Sequence, residues 1–90
     1  MGAVAKAIVR KLGDAFSPTR LDVVDDSAKH AGHAGARPGG ESHFSVTIES
    51  EAFRGLSRID RQRRVYAALA GELAGAVHAL SLKALAPGEP

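Results

Sequence analysis

The chain contains no cysteine and no tryptophan. Without cysteine it can form no disulfide, present no thiol nucleophile and build no metal site from its own thiolates. Four aromatics are present, Phe16, Phe44, Phe53 and Tyr66, which argues against a deep pocket for a large ligand. No apolar run approaches the roughly 20 residues of a membrane span. The opening MGAVAKAIVRKLG is broken by Lys6, Arg10 and Lys11 and does not read as a signal peptide. Gly2 is followed at position 6 by Lys, where a myristoylation signal needs Ser or Thr. The expectation is a cytoplasmic protein with no membrane association. No glycine-rich run ends in Lys-Ser or Lys-Thr, and no serine has an evident base and orienting partner, so no enzyme activity is expected.

At 90 residues the chain is one domain, residues 1–90, with room for a single core. A 44% apolar and 24% charged composition is that of a globular domain and not of a disordered segment. The net charge of +2 is only mildly basic, but its distribution is uneven. Arg54, Arg58, Arg61, Arg63 and Arg64 fall within eleven positions that hold one acid, Asp60.

Val4, Ile8, Leu12 and Phe16 recur every four residues, with Val9 beside them, and predict a helix over 3–16 that Pro18 stops. Residues 20–25, RLDVVD, read as a short strand. Residues 26–42 carry Gly32, Gly35, Pro38, Gly39 and Gly40 and read as a long flexible loop between two strands, a kind of loop that is often functional. Residues 43–50 alternate cleanly, with Phe44, Val46 and Ile48 on one face. A turn through Phe53 and Gly55 leads to Ser57, which with Asp60 resembles a capping box. Ile59, Tyr66, Leu69 and Leu73 then mark one face of a second helix, flanked by Val65 and Ala70, with Gly75 as its stop. Residues 77–85 make a last strand with His78, Leu80 and Leu82 on one side, and 86–90 read as a frayed tail. The first two strands can pair antiparallel, and the last follows a crossover helix and should run parallel to the middle strand. The fold class is α+β, in the order α-β-β-α(short)-α-β, with a three-stranded mixed sheet and helices on one face.

Two constellations could carry chemistry. The histidines are His30, His33, His43 and His78, and imidazole binds iron, zinc or copper through a neutral nitrogen. Each has a plainer reading: a solvated loop side chain for His33, a local hydrogen bond for His43 on a polar face, a satisfied core group for His78 beside Leu80 and Leu82. The position of His78 at a strand end argues for solvent instead. The arginines Arg58, Arg61, Arg63 and Arg64 could grip phosphates or an acidic partner, or form a solvated helix face; no stacking aromatics are interleaved with them. Gly32-His33-Ala34-Gly35 matches the GxxG of KH domains, but there the string joins two helices.

Four segments together, DDSAKHAGHAG, ESHFSVTIES, AFRGLSRIDRQRRVYAALAGEL and VHALSLKALAPGE, resemble the BolA family over nearly the whole chain. The resemblance implies a KH-like fold and partnership with a monothiol glutaredoxin around a shared [2Fe-2S] cluster, with glutathione on the partner side. It maps one cluster ligand onto His78 and a second onto His30, with His33 as the alternative. It implies a monomer alone and a heterodimer with its partner, in iron–sulfur trafficking or iron sensing. The family's usual Arg-His-Arg at the helix start reads Arg61-Gln62-Arg63 here. Two other roles remain open: a DNA-binding transcriptional regulator using the arginines, and a zinc-binding domain using His30, His33 and His78.

Overall fold

A computed structural model describes residues 2–26 and 42–90. Their order is α1 (Ala3–Phe16), β1 (Arg20–Asp25), β2 (His43–Glu49), a single 3-10 turn (Glu51–Phe53), α2 (Arg58–Ala68), α3 (Ala70–Ala74) and β3 (Ala79–Leu85). The strands form one sheet in the order β1-β2-β3. β1 pairs antiparallel with β2, Leu21 opposite Ile48 and Val23 opposite Val46. β3 runs parallel to β2, Leu82 opposite Val46 and Ala84 opposite Ile48. The α+β class and the mixed sheet follow the reading from sequence.

Spacing of three and four puts Ala5, Ile8 and Leu12 on the buried stripe of α1, with Val4 and Phe16 partly buried beside them. The helix ends as expected at Phe16. Ser17 takes a left-handed φ of 43°, and its N–H donates to the Gly13 carbonyl at 3.0 Å. Pro18 then prevents another turn. In β2, Phe44, Val46 and Ile48 face the helices and are buried, the signature of a strand with one covered face.

Ser50 joins three elements. Its hydroxyl, buried with the rest of the residue, donates to the Phe16 carbonyl at the end of α1 at 2.6 Å and accepts from the Ala52 N–H at the start of the 3-10 turn at 3.1 Å. That turn drops Phe53 into the core, its ring centroid 5.0 Å from that of Phe16. Gly55 follows at φ 81°, a conformation that suits glycine. Ser57 caps α2 by accepting from the Asp60 N–H at 3.1 Å, as its place three residues before an acid suggested.

Three details differ from the sequence expectation. The buried stripe of α2 runs through Val65 and Leu69, while Ile59 is 60% exposed. The inward position one turn before Val65 belongs to Arg61, and the one beyond Leu69 to Glu72; both are only partly exposed. Of the face read from periodicity, Leu69 is buried and Tyr66 and Leu73 pack partly buried against the core, while Ile59 alone lies outside it. Second, the helix breaks at Leu69, with φ −106° and ψ 19°, into α2 and α3. Third, the tail is not frayed. Ala86 is buried, and the Glu89 carboxylate accepts from its N–H at 2.8 Å and from Arg61 Nη1 and Nη2 at 2.5 and 3.0 Å. Arg61, whose side chain is 12% exposed, also donates to the carbonyls of Leu56 at 3.0 Å and Ala84 at 3.1 Å. Arg54 donates to the Pro87 carbonyl at 2.9 Å.

Candidate functional site

The parallel pairing of β2 and β3 starts both strands at the same end of the sheet, with His43 the register partner of Ala79. The residue before Ala79 is His78, so two histidines 35 positions apart in sequence become neighbours. Their ring centroids lie 6.2 Å apart, edge to face at 70°. His78 is exposed and His43 half-buried. The sequence run 77–85 reads as one strand, but the strand begins at Ala79. Val77 is buried and His78 occupies a bend. His78 is therefore not a core residue beside Leu80 and Leu82; the bend turns it out to solvent.

Ser42 holds the pair in place. It is buried, and its carbonyl accepts from the N–H groups of His78 at 2.8 Å and Ala79 at 3.2 Å. Its hydroxyl is hydrogen-bonded to His43 Nδ1 at 2.8 Å. The bond at Nδ1 orients the His43 ring beside His78. Of His43, the sequence anticipated only the local hydrogen bond. The pairing with His78 was not readable from spacing, because it depends on the register of two strands separated by a helix.

His30 and His33 lie outside the described residues. Both flanks of their segment do not. The Asp26 N–H donates to the His43 carbonyl at 2.7 Å, Ser45 Oγ donates to the Asp26 carboxylate, and Ser42 closes the other flank. The segment thus leaves and re-enters the sheet beside the two described histidines. Among the described residues no group of three or more His, Cys, Asp or Glu side chains could hold a metal by itself.

The arginines separate into two groups. Arg61 is turned inward and its donors are committed to Glu89, Leu56 and Ala84. That ion pair holds the Glu89 carboxyl down to about 2, chiefly through the Arg61 hydrogen bond and then the Ala86 N–H, and raises the Arg61 guanidinium further above its ordinary range. Arg58, Arg63 and Arg64 are exposed on α2. The Arg63 side chain is 77% exposed and stands 3.7 Å from Asp60. On the other flank of the helices, Lys11 reaches Glu72 at 2.7 Å and lowers its carboxyl through a hydrogen bond.

A mixed three-stranded sheet backed by helices, with two imidazoles paired at one sheet end and exposed arginines on α2, defines a small α+β domain. Comparison with known proteins gives the class its name. Residues 12–89 match the family model described as BolA-like protein, and the chain belongs to that family. It is 45% identical over 89 residues to human BolA-like protein 1, covering 99% of this chain and 62% of that one; it thus spans about three fifths of that relative's length. It is 43% identical over 79 residues to the Escherichia coli protein named DNA-binding transcriptional regulator BolA, covering 88% of this chain and 71% of the other. Among solved structures, the BolA domain of SufE1 from Arabidopsis thaliana aligns with a TM-score of 0.89 at 40% identity, over 100% of this chain and 99% of that domain. No helix among the described residues is long and apolar enough to cross a membrane.

Proposed function

We propose that the protein acts as the partner of a monothiol glutaredoxin and shares a [2Fe-2S] cluster with it, contributing His78 as an imidazole ligand. The observation that carries this reading is His78 itself, exposed at a sheet end beside His43, in a chain without cysteine. A [2Fe-2S] cluster takes four ligands, usually thiolates, with imidazole replacing thiolate in some centres. The donor set here suits a partial ligand role: imidazole is present and thiolate is not. The sulfur ligands then come from the glutaredoxin and its glutathione. A second imidazole would come from His30 or His33, whose segment is anchored at both flanks beside the site. Replacing thiolate by neutral imidazole raises the cluster potential, which suits trafficking or sensing.

The test is anaerobic, iron-replete co-purification with a monothiol glutaredoxin and glutathione. A coloured heterodimer is expected, and His78→Ala should change its visible absorption and circular dichroism. Because His78 is exposed, that variant should unfold within about 0.5 kcal/mol of the parent. An unchanged spectrum removes His78 from the role.

A second reading, a DNA-binding transcriptional regulator, draws on the exposure of Arg58, Arg63 and Arg64 and on the name of the Escherichia coli relative. It requires affinity for duplex DNA to fall with salt at a log–log slope of about −3, roughly one unit per phosphate contact. Undetectable binding at low salt eliminates it.

A further inference from the structure

Between α2 and β3 lies a groove of about 570 Å³, within the range of roughly 300–1,000 Å³ common for binding sites. Half-buried Leu56, Tyr66 and Leu82 supply its apolar surface, and exposed Arg58 and Lys83 its charge. Tyr66 continues it onto a shallower patch that includes Ile59, an exposed large hydrophobic residue on this helix.

One wall of the groove is the edge of the sheet. β3 is a terminal strand in the order β1-β2-β3, and among the described residues no strand pairs with its outer side. The direction of its backbone groups is fixed by two hydrogen bonds. The Leu85 carbonyl points towards β2 and accepts from the Ser50 N–H at 2.9 Å, whereas the Ala84 carbonyl points the other way and accepts from Arg61 Nη1 at 3.1 Å. Backbone polar groups alternate along a strand, so Leu82 and Leu80 present their N–H and C=O groups on the same outer edge as Ala84. At Ala84 a side chain takes the place of a neighbouring strand. Edges of this kind are templates for strand addition unless they are blocked.

The charge of the groove selects the occupant. Arg61 is neutralised by Glu89, which leaves Arg58 and Lys83 as the cations of the lining. We infer that the groove receives an extended, acidic segment of a partner protein, which adds a strand to the outer edge of β3, laying apolar side chains on Tyr66 and Leu82 and carboxylates against Arg58 and Lys83. Main-chain hydrogen bonds give such docking its affinity, and alternate side-chain contacts its specificity. About four residues at ~3.3 Å each match the run from Leu80 to Lys83, short of the Ala84 carbonyl that Arg61 occupies. The site is separate from the histidines and needs no metal.

The test uses the isolated ¹⁵N-labelled protein and a synthetic capped hexapeptide alternating valine with glutamate. The amides of Leu80 and Leu82 should shift on titration and exchange with solvent more slowly when the peptide is bound. The double variant Arg58→Glu, Lys83→Glu should bind at least tenfold more weakly while its β1 and β2 amides stay in place, and the same peptide with lysine for glutamate should not compete. Unchanged Leu80 and Leu82 amides at millimolar peptide, equal binding by the lysine peptide, or displacement of the peptide by a single-stranded DNA oligonucleotide at lower concentration would each overturn the inference.

Discussion

Replacing Ser50 by alanine removes one oxygen and orphans two backbone groups. The Phe16 carbonyl loses its donor at 2.6 Å and the Ala52 N–H its acceptor at 3.1 Å, around a residue that is 1% exposed. A buried polar group left without a partner costs about 1–3 kcal/mol. Ala52 is exposed, so water can serve its N–H, and the expected loss is about 2–3 kcal/mol in total, most of it at Phe16. At roughly 4–8 °C per kcal/mol for a domain of this length, Tm should fall by about 10–20 °C. Ser57→Ala is the internal reference: it also deletes a cap, but an exposed one, and should cost about 1 kcal/mol. Urea unfolding followed by far-UV circular dichroism measures both, with the midpoint moving at constant m. If Ser50→Ala costs no more than Ser57→Ala, the hydroxyl is not the joint between α1, β2 and the 3-10 turn, and the account of that corner is wrong.

The inner stripe of α2 can be checked by a pair of truncations: Leu69→Ala should cost about 2–5 kcal/mol, and Ile59→Ala should stay within about 0.5 kcal/mol, read from urea midpoints. Reversal of that order would place Ile59, and not Leu69, on the buried side of the helix. Acid sensitivity follows from Glu89, whose carboxyl is held at about 2 against an ordinary 4.5. Its contribution is fully present above pH 4.5 and drains away as pH falls towards 2, because the unfolded chain takes up the proton first. Glu89→Gln should therefore flatten the midpoint-against-pH curve in that window and nowhere above it. Breaking the part-exposed Lys11–Glu72 pair with Lys11→Met should change stability by less than about 1 kcal/mol, and less again at high salt; a larger, salt-independent loss would show that the lysine stem packs rather than pairs.

The organisation of the histidine site depends on a feature common to parallel pairs. Neighbouring strands that run the same way begin at the same edge of the sheet, so residues just before them meet although a helical crossover separates them in the chain. Ser42 makes use of that meeting point, its carbonyl holding the His78 backbone and its hydroxyl the His43 ring. The same end receives both flanks of the segment that carries His30 and His33. The glutaredoxin proposal and the inferred edge groove therefore use different parts of the molecule, one at the start of β2 and β3, the other along the outer side of β3 and α2. Each can fail without the other.

Much of this was legible without coordinates, because it is written in local periodicity. Every-fourth apolar spacing announced α1, strict alternation announced β2, Pro18 and Ser57 marked a stop and a start, and the order of elements implied a mixed sheet. Three matters belonged to the tertiary structure alone. Arg61 on α2 and Glu72 on α3 sit at inward positions that a hydrophobic pattern would not assign to them; there they pair with Glu89 and Lys11, 28 and 61 residues away in the chain. The tail is held by that same Arg61, although its Pro and Gly composition reads as loose. The nearness of His43 to His78 is decided by strand register. Sequence spacing records which residues share a face of one element, but it carries no information about which ends of two elements are brought together, since that is chosen by the packing of the whole chain.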